Sequence, residues 1–140
     1  MYELSMQRSF NTPVAKLFEA WCKPEVIQKW FAPGSMTVPE ASSDLREGGA
    51  YRIVMHDADE DSNHIVGGEY KKVIKDELLE FTWQWEGNPM VTKVCVKFNA
   101  LGDDRSELHL SHSEFAEQEA CDKHEMGWSG CLANLTKLTD

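Results

Sequence analysis

Three side chains in this sequence of 140 residues combine a reactive or charged group with a position that a pleated strand would turn inward: Arg8, Tyr70 and His112. His112 follows Leu110 by two residues, so both occupy one strand face. An imidazole there can act as general base or orient a ligand; the alternative is a strand-end histidine bonded to a backbone carbonyl. Arg8 and Tyr70 can each bind an acid or carbonyl group, although an arginine at such a position more often packs its stem inside and leaves its head at the rim. His112 and Tyr70 are thus the two weak candidates for proton transfer.

Other groups have chemistry in their side chains but not in their spacing. The stretch HDADEDSNH supplies His56, Asp57, Asp59, Glu60, Asp61 and His64, all cation-ligand types. It lacks the glycine and closing glutamate of an EF-hand, and reads as a solvated turn with no metal. His124 and Glu125 fall near the start of a helix, where a carboxylate suits the positive end of the dipole, and His124 reads as structural. Cys22, Cys95, Cys121 and Cys131 form no C-x-x-C pair and no thiol-activating motif, so they are expected to be reduced. There is no G-x-S-x-G elbow. Gly48-Gly49 and Gly67-Gly68 do not lie between a strand and a helix, so neither reads as a phosphate loop, and no cofactor is expected.

The elements that position these groups follow from periodicity. Tyr2, Leu4, Met6 and Phe10 alternate with polar residues, the mark of a strand with one buried face. In NTPVAKLFEAWC, Thr12 is expected to cap and Pro13 to take the first helical position, with Val14, Leu17, Phe18 and Trp21 in one stripe. Pro24 starts a second short helix through Val26, Ile27, Trp30 and Phe31, which Pro33-Gly34 stops. From Met36 to about Phe115 the chain reads as some six strands. Tyr51, Ile53 and Met55 alternate; so do Leu79, Phe81, Trp83 and Trp85, then Thr92, Val94, Val96 and Phe98, then Leu108, Leu110 and His112.

The last segment, HEMGWSGCLANLTKLTD, spaces Trp128, Leu132, Leu135 and Leu138 along one helical face, with Cys131 beside them. Gly127 inside that helix should cost about 0.5–1 kcal/mol relative to alanine. A close approach of helix to sheet at Gly127 is the expected compensation. The order strand, two short helices, strands, long helix predicts an α+β fold in which a curved antiparallel sheet of six or seven strands wraps the final helix.

A chain of this length suits one domain, residues 1–140, with a core that needs no disulfide or metal. A net charge of −10, from 14 Lys+Arg and 24 Asp+Glu, argues against nucleic acid and anionic lipid as partners. No apolar run is long enough for a membrane span and the first residues do not resemble a signal peptide, so a cytoplasmic location is expected.

Five blocks in order resemble the START-related helix-grip (SRPBCC) superfamily, and within it the heat-shock-protein ATPase activator homologues in their bacterial single-domain form. They are RSFNTPVAKLFEAWCKPEVIQKWFAP, DLREGGAYR, GEY, LLEFTWQWE and HEMGWSGCLANLTKL, carrying Arg8, Phe10, Trp21, Pro24, Glu25, Trp30, Phe31, Asp44, Leu45, Arg46, Gly48, Gly49 and Tyr51. The connection HDADEDSNH is more acidic than the family's compact hairpin. The chain has no room for the additional N-terminal domain of the eukaryotic activators, so their co-chaperone activity is not implied.

The resemblance implies an elongated cavity between sheet and helix. Its expected walls are Trp30, Phe31, Tyr51, Ile53 and Met55, together with Tyr70, Phe81, Trp83 and Trp85. Val94, Val96, Phe98, Leu110, His112 and Trp128 complete the set, although for each of the fifteen, ordinary core packing is the stronger alternative. The leading expectation is a binder of a small hydrophobic or amphipathic molecule, either a monomer or a weak homodimer. An enzyme of cyclase or hydrolase type using the same cavity is the alternative, and a stress-response module with a chaperone partner is the third reading.

Overall fold

A computed structural model describes residues 1–139. Strand β1 (Tyr2–Phe10) leads into helices α1 (Val14–Cys22) and α2 (Pro24–Trp30). Six strands follow: β2 (Thr37–Ser43), β3 (Ala50–Asp57), β4 (Ser62–Ile74), β5 (Leu78–Trp85), β6 (Thr92–Ala100) and β7 (Ser106–Phe115). Helix α3 (Gln118–Thr139) closes the chain. The seven strands form one antiparallel sheet in the order β1-β7-β6-β5-β4-β3-β2. β1 and β2, neighbours in sequence, therefore lie at opposite edges, and α1 and α2 carry the chain between them. None of the described helices is long and apolar enough to cross a membrane.

The alternation that defined the strands also defines the core. Leu79, Phe81 and Trp83 on β5, Val94, Val96 and Phe98 on β6, and Leu108, Leu110 and His112 on β7 are all buried. Each large apolar side chain taken fully from water contributes roughly 1.5–3 kcal/mol, so this one face accounts for much of the drive to fold. The register aligns Tyr70, Phe81, Val94 and His112 in one row across β4, β5, β6 and β7.

Three local expectations are corrected. Pro13, not Thr12, is the N-cap of α1, with no side-chain capping bond. Thr12 is buried, and its carbonyl accepts a hydrogen bond from Ser106 Oγ at 2.7 Å, which ties the turn to the sheet. The buried stripe of α3 runs through Cys121, Trp128, Cys131, Leu132 and Leu135, whereas Leu138, beyond the cover of the sheet, is 42% exposed.

The close approach occurs at Gly130, not at Gly127. A Cβ at Gly130 would lie 3.0 Å from Pro33 Cβ and 3.2 Å from Pro33 Cα, while a Cβ at Gly127 would meet nothing within 4 Å. Pro33 is held rigid by its own ring and by Gly34, whose φ of 62° fixes the turn. Gly127→Ala should therefore raise stability by about 0.5–1 kcal/mol through backbone entropy alone. Gly130→Ala should lower it by about 1 kcal/mol through overpacking. Urea midpoints of the two variants that move in the same direction would refute this assignment.

Candidate functional site

Helix α3 runs closest to β1, β7 and α2, and so leaves the β3–β5 part of the sheet incompletely covered. One end of that space is plugged. Trp21 from α1 and Trp30 from α2 meet edge to face at 4.8 Å, and Phe18 packs on Phe98 at 5.2 Å. Trp128 stacks on Trp21 with ring centroids 5.7 Å apart, and Phe31 lies 5.5 Å from Trp128. On the far side of Trp128 and Phe31 the space stays open as a cavity of about 350 Å³.

Five of the residues expected to form the wall do so: Phe31, Met55, Trp83, Trp85 and Trp128. Trp30 lies behind them with Nε1 donating to the Ala20 carbonyl at 2.8 Å. Tyr51, Ile53, Tyr70 and Phe81 surround a separate void of only about 10 Å³. Val94, Val96, Phe98, Leu110 and His112 are buried core that does not reach the cavity. Arg8 is exposed on β1, its guanidinium donating to the Gln7 carbonyl.

The wall also takes residues outside that expectation: Pro33 and Met36 from the α2–β2 turn, His64 from β4, and Lys123, His124, Gly127 and Cys131 from α3. Residues 123, 124, 127, 128 and 131 form one helical stripe at spacings of three and four, a signal present in the sequence. Gly127 thus borders the open space, which is why a Cβ there would touch nothing. His64 and Lys123 are exposed and mark the mouth.

Two histidines stand beside the cavity, and the hydrogen bonds define the state of each. Trp128 Nε1–H donates to His112 Nδ1 at 3.0 Å. His112 Nε2 must then carry the proton, which it donates to Thr92 Oγ1 at 2.6 Å, and Thr92 Oγ1 donates onward to the Trp83 carbonyl. The partners of His112 are side chains, not the backbone carbonyl considered above. Burial, with a smaller contribution from His124, pushes the His112 pKa down to about 3.

His124 has the opposite tautomer. Its Nε2 accepts from Trp85 Nε1–H at 2.9 Å and its Nδ1–H donates to the Ala120 carbonyl at 2.7 Å. Burial lowers its pKa as well, with the Ala120 bond opposing. Both rings are therefore neutral, with both nitrogens engaged.

Tyr70 is far from this pair. It stands three strand spacings from His112 along their shared row, roughly 14 Å across the sheet. Its hydroxyl bonds Ser43 Oγ at 2.8 Å, and burial pushes its pKa up to about 12. The Cys131 thiol is likewise raised to about 12 by burial, so it presents the cavity with a neutral, unreactive sulfur.

In the acidic hairpin, ligand atoms of Asp57, Glu60 and His64 come within 4.8 Å of one another. Asp57 Oδ1 already accepts from the Asp59 and Glu60 backbone N–H groups, which accounts for the tight turn.

A helix gripped by a seven-stranded sheet, with an apolar space beneath it, is the arrangement of a recognised family. The model for Activator of Hsp90 ATPase homolog 1-like proteins, AHSA1, matches residues 11–140. This chain belongs to the AHSA1 family. The AHSA1 match begins just after Arg8 and Phe10, so the first strand lies outside it.

Solved structures carry the same fold. The AHSA1 protein SPO3351 from Silicibacter pomeroyi is 25% identical, with 97% of this chain and 96% of that one covered and a TM-score of 0.85. Protein CV1439 from Chromobacterium violaceum is 19% identical over 99% and 98% of the two chains, also with a TM-score of 0.85. CalU16 from Micromonospora echinospora is 24% identical over 95% of this chain and 73% of that one, with a TM-score of 0.67. No curated protein matches the sequence.

Proposed function

We propose that this AHSA1-family protein binds a small hydrophobic or amphipathic molecule in the cavity between β3–β5 and α3. The observation that carries the reading is the space of about 350 Å³ itself, within the usual size range of small-molecule sites and walled by Phe31, Met55, Trp83, Trp85 and Trp128. The unit of function is the whole stretch 1–140, acting in the cytoplasm as a monomer or weak homodimer.

Turnover of cyclase or hydrolase type through His112 and Tyr70 draws no support from the geometry. Neither nitrogen of His112 is free to take a proton, and Tyr70 lies in another cluster. A chaperone-binding face draws none either: the exposed large apolar residues among those described, Met1, Tyr2, Leu45, Ile74, Val91, Leu101, Met126 and Leu138, are spread over the start of β1, separate loops, strand ends and α3.

Naphthalene titrated into ¹⁵N-labelled protein tests the proposal. It should shift the amide signals of Gly127 and Cys131 and the indole signals of the cavity tryptophans. Gly127→Leu projects a side chain back over Lys123 and His124 into the cavity. It should remain folded and weaken naphthalene binding by about tenfold or more. Resonances that stay still at the cavity while the protein is folded would end the proposal.

A further inference from the structure

The cavity wall differs in composition from the core around it. Its apolar lining is made of the rings of Phe31, Trp83, Trp85 and Trp128 and the sulfur-bearing side chains of Met36, Met55 and Cys131. Among the described residues that line it, none is leucine, isoleucine or valine. Those types lie close by but turn elsewhere. Ile53, two residues before Met55 on β3, borders the small void instead, and Leu132, next to Cys131 on α3, is fully packed in the core. Aliphatic side chains fill the solid part of the interior, and rings and sulfur face the open part.

The rings are arranged to receive another ring. Trp83 and Trp85 stand at 88° to each other with centroids 5.5 Å apart, while Trp128 lies 5.1 Å and Phe31 6.1 Å from Trp83. A perpendicular pair offers an incoming ring a face and an edge, and both geometries favour a ring over a saturated group of the same area. Thioether sulfur beside a ring adds to that preference.

The same wall offers nothing to a polar group. Trp85 Nε1, Trp128 Nε1 and both nitrogens of His124 are bonded within the protein, and Trp83 Nε1 is buried away from the space. A charged or hydrogen-bonding substituent on the inserted part of a ligand would lose its hydration and gain no partner. At the mouth, beside the exposed His64 and Lys123, it stays in water.

Resting on the binding reading above, we infer that the cavity selects an uncharged aryl group over a saturated hydrocarbon of equal size, with the inserted ring against Trp83 and Trp85 and any polar substituent at the mouth. The volume of about 350 Å³ is near the lower end for small-molecule sites, which suits one compact ring system on a short tether.

Three alcohols with the same number of carbon atoms test this: 4-phenylbutan-1-ol, 4-cyclohexylbutan-1-ol and decan-1-ol, titrated at pH 7.5 into the ¹⁵N-labelled full chain. Once each affinity is corrected for transfer from water to alkane, the phenyl compound should bind about tenfold more tightly than either of the others, through one ring–ring and one sulfur–ring contact. It should also shift the indole signals of Trp83 and Trp85 by its ring current. Trp85→Leu replaces a ring by an aliphatic group at a partly exposed position. The variant should stay folded and still bind the cyclohexyl compound, with the phenyl preference reduced to about threefold or less. Met55→Leu, which conserves volume, should reduce the preference as well and serves if Trp85→Leu folds poorly.

Equal corrected affinities for the phenyl and cyclohexyl compounds in wild-type protein would overturn the inference and leave the cavity reading intact. A preference that survives whole in both folded variants would also overturn it, because the selecting contacts would then lie elsewhere. Silence of all three alcohols, with naphthalene also silent, would remove both readings together.

Discussion

Between pH 7 and pH 5 the protein is expected to lose about 2 kcal/mol of folding stability through His112 alone. In the native state this ring stays neutral until about pH 3, because protonation would place a charge among Trp83, Phe115 and Trp128 and break the bond that Nδ1 accepts. In the unfolded chain it takes up a proton near its ordinary 6.5. Between those values the unfolded state holds the extra proton. The stability is therefore fully present above pH 6.5 and is lost progressively as pH falls towards 3.

His124, lowered by burial, acts in the same direction. Urea midpoints at pH 7, 6 and 5 check the expectation against His112→Gln, which keeps an acceptor and a donor but does not titrate in this range. The variant should lose most of the slope. Equal slopes in the two proteins would place the acid sensitivity elsewhere.

Trp128→Ala should cost about 4 kcal/mol, a large part of the stability of a domain this size. The ring is 3% exposed, stacks on Trp21, lies 5.1 Å from Trp83 and donates to His112. Its removal joins the existing cavity to new empty volume and leaves His112 Nδ1 without a donor. Trp128→Phe restores most of the packing but not the N–H, and should cost about 1–3 kcal/mol. Chemical denaturation of the two variants separates the terms. A loss as large for phenylalanine as for alanine would mean that the hydrogen bond, not the volume, dominates.

The strand and helix pattern was legible because a strand's period of two and a helix's period of 3.6 are local properties, written in residues such as Leu79, Phe81 and Trp83. The α+β class, a sheet of six or seven strands and the grip of the last helix follow from covering one apolar face. Strand parity likewise pointed to Met55, Trp83 and Trp85, and helical spacing to Phe31 and Trp128. Neither could separate them from Val94, Val96 and Leu110, because each says which face a side chain takes and not whether another chain segment fills the space opposite.

The role of Gly127 shows the same limit. A helix glycine beside a tryptophan has one signature in sequence, whether it permits a close contact or borders an empty space. The difference depends on Pro33, nearly a hundred residues away, which packs against Gly130 instead. The engagement of His112 was also beyond reach, since its partners Thr92 and Trp128 come from β6 and α3. Sequence by itself determined the elements, the inward set and the family likeness. Tertiary structure alone decided which part of the interior stays open and which polar atoms there are already bonded, because both depend on contacts between segments that are distant along the chain.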